Sequence, residues 1–143
     1  MTEISFVPVQ EAILLADCSG LTIELVQQLA RRDKVLVFAD HPTLGMLIEP
    51  SILIELAVEL KKVRCDAYGK YISGYEAEQK YGISRVSLLR YRDRGIIRVN
   101  ENDLLYLEDV AFVSKLAAYV KPAPGRSLFP DNYLKPSTLS SNT

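Results

Sequence analysis

The segment from Gly82 to Ile97, GISRVSLLRYRDRGII, encodes both ends of a short helix. Ser84 is suited to cap the start of this helix by accepting a hydrogen bond from a free backbone N–H. Gly95 can adopt the left-handed conformation that ends a helix. Between these ends Leu88 and Tyr91 lie three residues apart, so both are predicted to face the protein interior. The segment therefore predicts a short helix with one buried face.

The outer face of this predicted helix is rich in arginine. It is expected to carry Arg85, Val86, Leu89 and Arg90, with the hydroxyl of Ser87 at its edge. Five arginines between residues 85 and 98 accompany a single acid, so a polyanion is the expected partner. A basic helix that contacts only solvent is the alternative interpretation.

Neighbouring segments add a first helix and a hairpin. Ser73 and Glu76 have the spacing of a capping box, which predicts a helix that continues to about Tyr81. Within residues 96–107, two strand-prone stretches flank the polar turn Asn-Glu-Asn-Asp, and this pattern predicts a hairpin wing.

A last helix is predicted after the hairpin. Glu108 and Asp109 place acids at its N-terminus, where they interact favourably with the helix dipole. Its apolar positions form a broad inward stripe of Val110, Phe112, Val113, Leu116, Ala117 and Val120. Helix, turn, helix, wing and helix then follow one another within residues 71–121.

This part of the chain, from Tyr71 to about Lys121, resembles the winged helix-turn-helix of MerR and excisionase-like DNA-binding proteins. The positions that carry the resemblance are Gly82, Ile83, Ser84, Leu88, Tyr91, Gly95, Ile96 and Ile97. Many MerR proteins have arginine and tyrosine after that leucine, where this chain has Leu89 and Arg90. MerR regulators also begin with this module and continue into a long dimerising helix, whereas here residues 1–70 precede it.

The resemblance implies a mainly α fold with small β-hairpin wings that binds double-stranded DNA. The arginine-rich helix would enter the major groove, and residues near the first helix and the wing would contact phosphate or the minor groove. The predicted DNA-binding residues are Lys70, Tyr71, Tyr75, Ser84, Arg85, Val86, Ser87, Leu89, Arg90, Arg92, Arg98 and Asn100.

The first half of the chain repeats this plan in diverged form. Ser19 aligns with Ser84, and Leu29 aligns with Tyr91. The segment 46–61, MLIEPSILIELAVELK, aligns with the last helix of the second half. We therefore expect tandem winged helix-turn-helix-like units at residues 1–66 and 67–121, followed by a tail at 122–143. The alternative is that any two small amphipathic segments align this well.

Charge distinguishes the two predicted units. Residues 1–60 have three bases and nine acids, a net charge of −6, whereas residues 61–100 have ten bases and four acids, a net charge of +6. The helix predicted over residues 21–32 is apolar on more than one face, which favours burial against another chain. The expected dimerisation residues are Leu21, Ile23, Leu25, Val26 and Leu29. Residues 1–66 are therefore assigned to dimerisation or partner binding, and effector sensing is a weaker alternative.

Other signals argue against a membrane protein, a metalloprotein or an enzyme. No run of eighteen apolar residues and no signal-peptide pattern is present, so a cytoplasmic location is expected. Cys18 and Cys65 are too few for a zinc motif, and Cys18 is expected to be buried. His41, the single histidine, lies in a predicted loop. We expect no cofactor, no metal and no pocket with converging ionisable groups.

The sequence thus predicts a transcription regulator that binds DNA sequence-specifically, a homodimeric repressor acting on an inverted repeat. One alternative is an excisionase-like or transposition accessory factor, and another is an antitoxin-like adaptor that binds an acidic protein. The tail is rich in Pro, Ser and Thr, and its end is expected to be disordered. The residues expected to anchor its earlier part are Leu128, Phe129, Tyr133 and Leu134.

Overall fold

A computed structural model describes residues 5–122 and 127–134, which form six helices and five short strands. The first half contains β1 (Val7–Pro8), α1 (Val9–Ala16), α2 (Ile23–Arg31), β2 (Phe38–His41), β3 (Gly45–Ile48) and α3 (Ser51–Ala67). The second half contains β4 (Tyr71–Ile72), α4 (Gly74–Tyr81), α5 (Arg85–Asp93), β5 (Leu105–Tyr106) and α6 (Leu107–Val120). The expected end of the tail, residues 135–143, lies outside the described residues.

The strands form two small antiparallel sheets. In the first half β3 pairs with both β1 and β2, and in the second half β5 pairs with β4. A single bridge from Val99 to Leu105 closes the hairpin of the second half, which we call the second wing, residues 98–106. The mainly α fold with small hairpins is confirmed. Pairing of each hairpin with the strand before the first helix was not predicted.

The predicted ends of the helices in the second half are confirmed. Ser84 Oγ accepts from the N–H of Ser87 at 3.2 Å, and Gly95 has φ of 76°. Ser73 Oγ likewise accepts from the N–H of Glu76 at 3.1 Å. These bonds join residues three apart, so they depend on local sequence alone.

Two boundaries in the first half differ from the sequence alignment. Thr22, not Ser19, caps α2, because Thr22 Oγ1 accepts from the N–H of Leu25 at 3.2 Å. The helix predicted to begin near Met46 begins at Ser51, because residues 46–48 pair within the sheet. It then continues to residue 67, past the expected boundary at 66.

The long helices α3 and α6 pack against each other in antiparallel directions. Arg64 near the end of α3 binds Asp109 at the start of α6, and Glu59 binds Lys115 at 3.3 Å. Their facing sides are buried at Leu53, Leu56, Leu60, Val113, Leu116 and Val120. A continuous cluster of buried side chains therefore includes residues from both halves.

Burial of α2 corrects the prediction of a dimer surface on that helix. The side chains of Leu21, Leu25, Val26 and Leu29 are buried within the chain itself, and Ile23 is half-buried. The apolar excess that suggested a second chain is therefore satisfied by the protein's own core.

Residues 127–134, here called the C-terminal strap, bind the first half through α2. Gln28 Nε2 donates to the carbonyl of Leu128 at 2.8 Å. The guanidinium of Arg32, the residue after α2, donates to the carbonyl of Ser127. The strap therefore covers part of the surface of α2.

The same strap also binds the second half, at the end of α5. Arg94 Nη2 donates to the carbonyl of Pro130 at 2.5 Å. The rings of Phe129 and Tyr91 make an edge contact with centroids 5.6 Å apart. Three expected anchors are confirmed as buried, namely Leu128, Phe129 and Tyr133. Leu134 is instead 49% exposed.

We predict that Phe129→Ala lowers the free energy of unfolding by about 3–5 kcal/mol, because it leaves a cavity between the two halves. Urea denaturation followed by circular dichroism measures the change. Leu134→Ala is the matched control and should change stability by less than about 0.5 kcal/mol, since its side chain is half exposed. Equal stability of the two variants would show that the strap does not hold the halves together.

Candidate nucleic-acid interface

The outward face of α5 carries the four side chains that the sequence placed there. Val86 is 64% exposed and Leu89 is 50% exposed. Arg85 and Arg90 are exposed beside them. The opposite face is anchored by Leu88, which is buried. The helix therefore offers a surface of two cations and two apolar side chains.

Three of the five arginines between residues 85 and 98 are bound within the chain. Arg92 pairs with Asp103 of the second wing at 2.6 Å. Arg94 binds the strap, as described above, and Arg98 binds an acid of α6. Within residues 5–122 and 127–134, Arg85 and Arg90 have no acidic or carbonyl partner. The arginine run is therefore partly structural, and these two exposed cations remain for a ligand.

Arg98 is held by a buried carboxylate. Its Nε and Nη2 donate to the two oxygens of Asp109 at 2.8 and 3.0 Å, and its backbone N–H donates to the same group at 2.9 Å. Arg64 Nη1 donates to Asp109 at 2.9 Å from the other side. This geometry corrects the assignment of Arg98 to phosphate contact, because the edge of its guanidinium is occupied by an ion pair.

The ionisation of Asp109 follows from these contacts. Burial by itself raises the pKa of this carboxyl, but hydrogen bonds from Arg98 and Arg64 outweigh burial, so the pKa of Asp109 is lowered. The side-chain hydrogen bond between Arg98 and Asp109 also raises the pKa of the Arg98 guanidinium. Only 2% of Asp109 is exposed. The sequence places Asp109 at a helix start but does not reveal its buried partners, although an acid directly before a broad apolar stripe is a usable signal.

Two more residues predicted to contact DNA, Asn100 and Arg92, form bonds within the second wing or to it. Asn100 Oδ1 accepts from the N–H groups of Asn102 and Leu104 at 2.9 and 3.0 Å, so it holds the turn. The pair of Arg92 and Asp103 fixes the wing to α5. Asn100 is therefore corrected to a structural role, and Arg92 is exposed but already paired.

Ser84, a predicted DNA contact, is used within the chain to cap α5. Ser84 accepts from the Ser87 N–H and donates its own hydroxyl proton to Ser87 Oγ at 3.0 Å. The hydroxyl proton of Ser84 is therefore already donated within the chain, which corrects the prediction that Ser84 donates to DNA. Ser87 is half-buried and keeps its own hydroxyl proton at the edge of the face.

Three predicted residues lie at the entrance to α4. Lys70 is exposed, and its carbonyl accepts from the N–H of Leu107 at 2.9 Å. Tyr71 is exposed beside Tyr106, with ring centroids 5.1 Å apart. Tyr75 is exposed on the first turn of α4. These side chains are accessible on the half of the molecule that carries α5.

A groove of about 200 Å³ lies between α4, α5 and the second wing. Its wall includes Tyr75, Arg85, Leu89 and Leu105. The groove is therefore continuous with the outward face of α5, and it combines a cation with apolar side chains.

A larger cavity of about 410 Å³ lies between the halves, lined by Arg64, Arg98, Glu108 and Asp109. This finding corrects the expectation that no pocket would bring ionisable groups together. These groups neutralise one another, because Arg64 and Arg98 both pair with the two acids.

A buried tyrosine closes part of the same cavity. Burial raises the pKa of Tyr133 to about 12, so its hydroxyl is neutral and donates to the carbonyl of Gly20 at 2.7 Å. Tyr133 thus attaches the strap to the loop before α2.

The corresponding surface of the first half has little positive charge. Gln27 and Arg31 are the exposed residues of α2, and Arg31 pairs with Asp40. In the turn of the first hairpin, His41 Nδ1 accepts from two backbone N–H groups. The helix α2 therefore lacks the exposed positive charge of α5.

Three further features concern metal ligands, membrane-spanning helices and the cysteines. Within the described ranges, no cluster of three or more metal-ligating side chains occurs. None of the helices in that part of the chain has the length and apolar character needed to cross a bilayer. Cys18 is half-buried, and burial raises the pKa of its thiol, whereas Cys65 is exposed.

Comparison of the chain with protein-family models, with characterised proteins and with solved structures gives no match. The likeness to MerR and excisionase-like proteins therefore depends on the motif in the sequence.

We predict that Asp109→Asn lowers the free energy of unfolding by up to about 3–5 kcal/mol, because Arg64 and Arg98 lose their shorter, buried ion pairs and keep only Glu108, at 3.3 Å. Asp103→Asn is the matched control and should cost about 0–1 kcal/mol, since that pair is exposed. Chemical denaturation of both variants at neutral pH measures the difference.

Acidification should reduce the advantage of the wild type over Asp109→Asn. A carboxyl whose pKa is lowered by folding stabilises the protein fully above its unfolded pKa of about 3.9. This contribution is lost as the pH falls through the lower folded pKa. A difference in stability that stays constant from neutral pH to pH about 2 would contradict the assigned ionisation.

Proposed function

We propose that this protein is a sequence-specific DNA-binding transcription regulator in which α5 enters the major groove. The observation that carries the proposal is the pair of exposed arginines, Arg85 and Arg90, on the outward face of a capped helix. Neither has an acidic partner within residues 5–122 and 127–134. The helix has 9 residues, and an α-helix with its side chains is about 10–12 Å in diameter. A major groove about 12 Å wide accepts such a helix.

Contacts outside the helix fit phosphate better than bases. Lys70, Tyr71 and Tyr75 are exposed near the start of α4, the first helix of the motif. Such side chains set the register of a protein on duplex DNA without reading its sequence. The proposed interface therefore combines base contacts from α5 with phosphate contacts from α4.

We further propose that the two halves are tandem winged helix-turn-helix units with different tasks. Both have a short strand, two helices, a hairpin and a long helix in the same order. The helix α2 is largely buried, and residues 1–60 carry net negative charge, so phosphate would repel this half. DNA binding is therefore assigned to the second unit alone.

The regulator is proposed to act as a homodimeric repressor that blocks access to an inverted repeat. Half-sites would lie about 34–36 Å apart, one turn of DNA. Since α2 is buried, the self-association surface is assigned to α1 and α3, which pack together and expose Leu14, Leu15 and Val58. Leu14 is 79% exposed.

One observation favours a second candidate, an adaptor that binds an acidic protein. Val86 and Leu89 are exposed between two arginines, and apolar side chains of this kind occur at protein interfaces as well. DNA remains the preferred partner, because the face belongs to a helix-turn-helix with an adjoining wing.

We predict that the full chain selects a duplex from a randomised DNA pool at low salt and loses it as the salt concentration rises. Arg85→Ala and Arg90→Ala should each weaken binding about tenfold or more, since a bidentate contact to guanine contributes about 1–3 kcal/mol. Fluorescence anisotropy measures the affinities.

Arg31→Ala is the matched control. Arg31 is exposed at the end of α2, the helix of the first half that corresponds to α5. Its affinity should equal that of the wild type. Complete absence of duplex binding at low salt would refute the proposal, and binding to an acidic protein only would support the adaptor.

We also predict that the wild type sediments as a dimer and that Leu14→Lys sediments as a monomer, because a charge would then lie in an apolar interface. Leu44→Lys changes a similarly exposed leucine in the first hairpin turn and should remain dimeric. A wild-type monomer under conditions where DNA is bound would refute the homodimer.

A further inference from the structure

Val86 and Leu89 are not needed to attach α5 to the protein. That task belongs to Leu88, which is buried, and to Tyr91, which contacts Phe129 of the strap. Valine also has a weaker helix propensity than most residues that occupy exposed helical positions. Neither packing nor helix formation therefore explains valine at position 86. Leucine forms helices well, but packing within the chain does not require the half-exposed Leu89 either.

The two apolar side chains lie together between Arg85 and Arg90, which have no acidic partner in the part of the chain that the structure describes. Val86 and Leu89 are three residues apart, so they are neighbours on the helix surface. Arg85 lies one turn before Leu89, and Arg90 lies one turn after Val86. The face consequently has an apolar centre with one guanidinium on each side.

The edges of unmodified bases in the major groove contain one apolar group, the C5 methyl of thymine. Arginine forms its commonest specific contact with O6 and N7 of guanine in the same groove. Neighbouring side chains on a helix face are about 5–6 Å apart at Cβ, and successive bases rise about 3.4 Å. The apolar pair therefore covers about two adjacent base pairs.

We propose that Val86 and Leu89 are specificity-determining residues that contact thymine methyl groups, next to guanines bound by Arg85 and Arg90. This inference rests on the proposed function and adds the base composition of the half-site. Leu89 also forms a wall of the groove beside Tyr75. A methyl group at Leu89 would thus be removed from water on more than one side.

The test begins with a duplex selected by the full chain from a randomised pool. This duplex is remade with deoxyuridine in place of each thymine in turn, which removes the C5 methyl and keeps the base pairing. At one or two positions of each half-site we expect affinity to fall about fourfold, the effect of removing one methyl group from an apolar contact.

Variants then assign each methyl group to a side chain. Val86→Ala and Leu89→Ala should weaken binding to the thymine duplex and should each lose sensitivity to deoxyuridine at one position, as a double-mutant cycle requires. Val37→Ala, a change at a half-exposed valine just before β2, should keep the full sensitivity. Urea denaturation should show unchanged stability for all three variants, because these side chains are exposed.

Two failures are distinguishable. If the selected duplex binds equally well with thymine and deoxyuridine at every position, the methyl contact is refuted and DNA binding stands. If the pool contains no duplex that the chain binds at low salt, the proposed function itself fails. Binding that survives Val86→Ala and Leu89→Ala with unchanged deoxyuridine sensitivity also refutes the assignment to these residues.

Discussion

Asp109 lies at the start of α6 with its carboxylate almost completely buried, and two arginines from different parts of the chain bind it. Arg64 comes from α3 of the first half, and Arg98 comes from the second wing. A buried charge without its partners is strongly unfavourable, so all three elements must meet at this point. The wing in turn contacts α5 through Arg92 and Asp103. The orientation of the outward face of α5 therefore depends, through the second wing, on the carboxylate of Asp109 in α6.

The strap gives the chain a second connection between its halves. Arg32 and Arg94 follow the last residues of α2 and α5, and each donates to a carbonyl of the strap. Corresponding positions in the two halves thus bind one segment. In the first half the strap covers part of α2. In the second half the strap covers only the end of α5, and Arg90 stays exposed. The same element order consequently produces one buried helix and one accessible helix.

Positive charge in the sequence is a poor measure of the charge available to a ligand. Residues 61–100 have a net charge of +6, yet Arg64, Arg92, Arg94 and Arg98 all have partners within the chain. The acids beside Arg64, Arg92 and Arg98 offset the charge of these arginines, whereas Arg94 keeps its charge and is bound to a carbonyl of the strap. Two exposed arginines and their apolar neighbours therefore carry the proposed DNA contact, and they form a more specific surface than a basic segment.

The sequence by itself determined the local features of this protein. Ser73, Ser84 and Gly95 mark helix ends because their bonds and backbone angles involve only near neighbours. The inward positions of α6 and the outward positions of α5 likewise follow from helical periodicity. Tertiary structure alone decided that α2 is buried, that Arg98 is paired and that the strap joins the halves, because these contacts link residues as distant as 20 and 133. A pattern of residue types shows which side chains can be buried or paired, but their partners are chosen only when distant segments pack together.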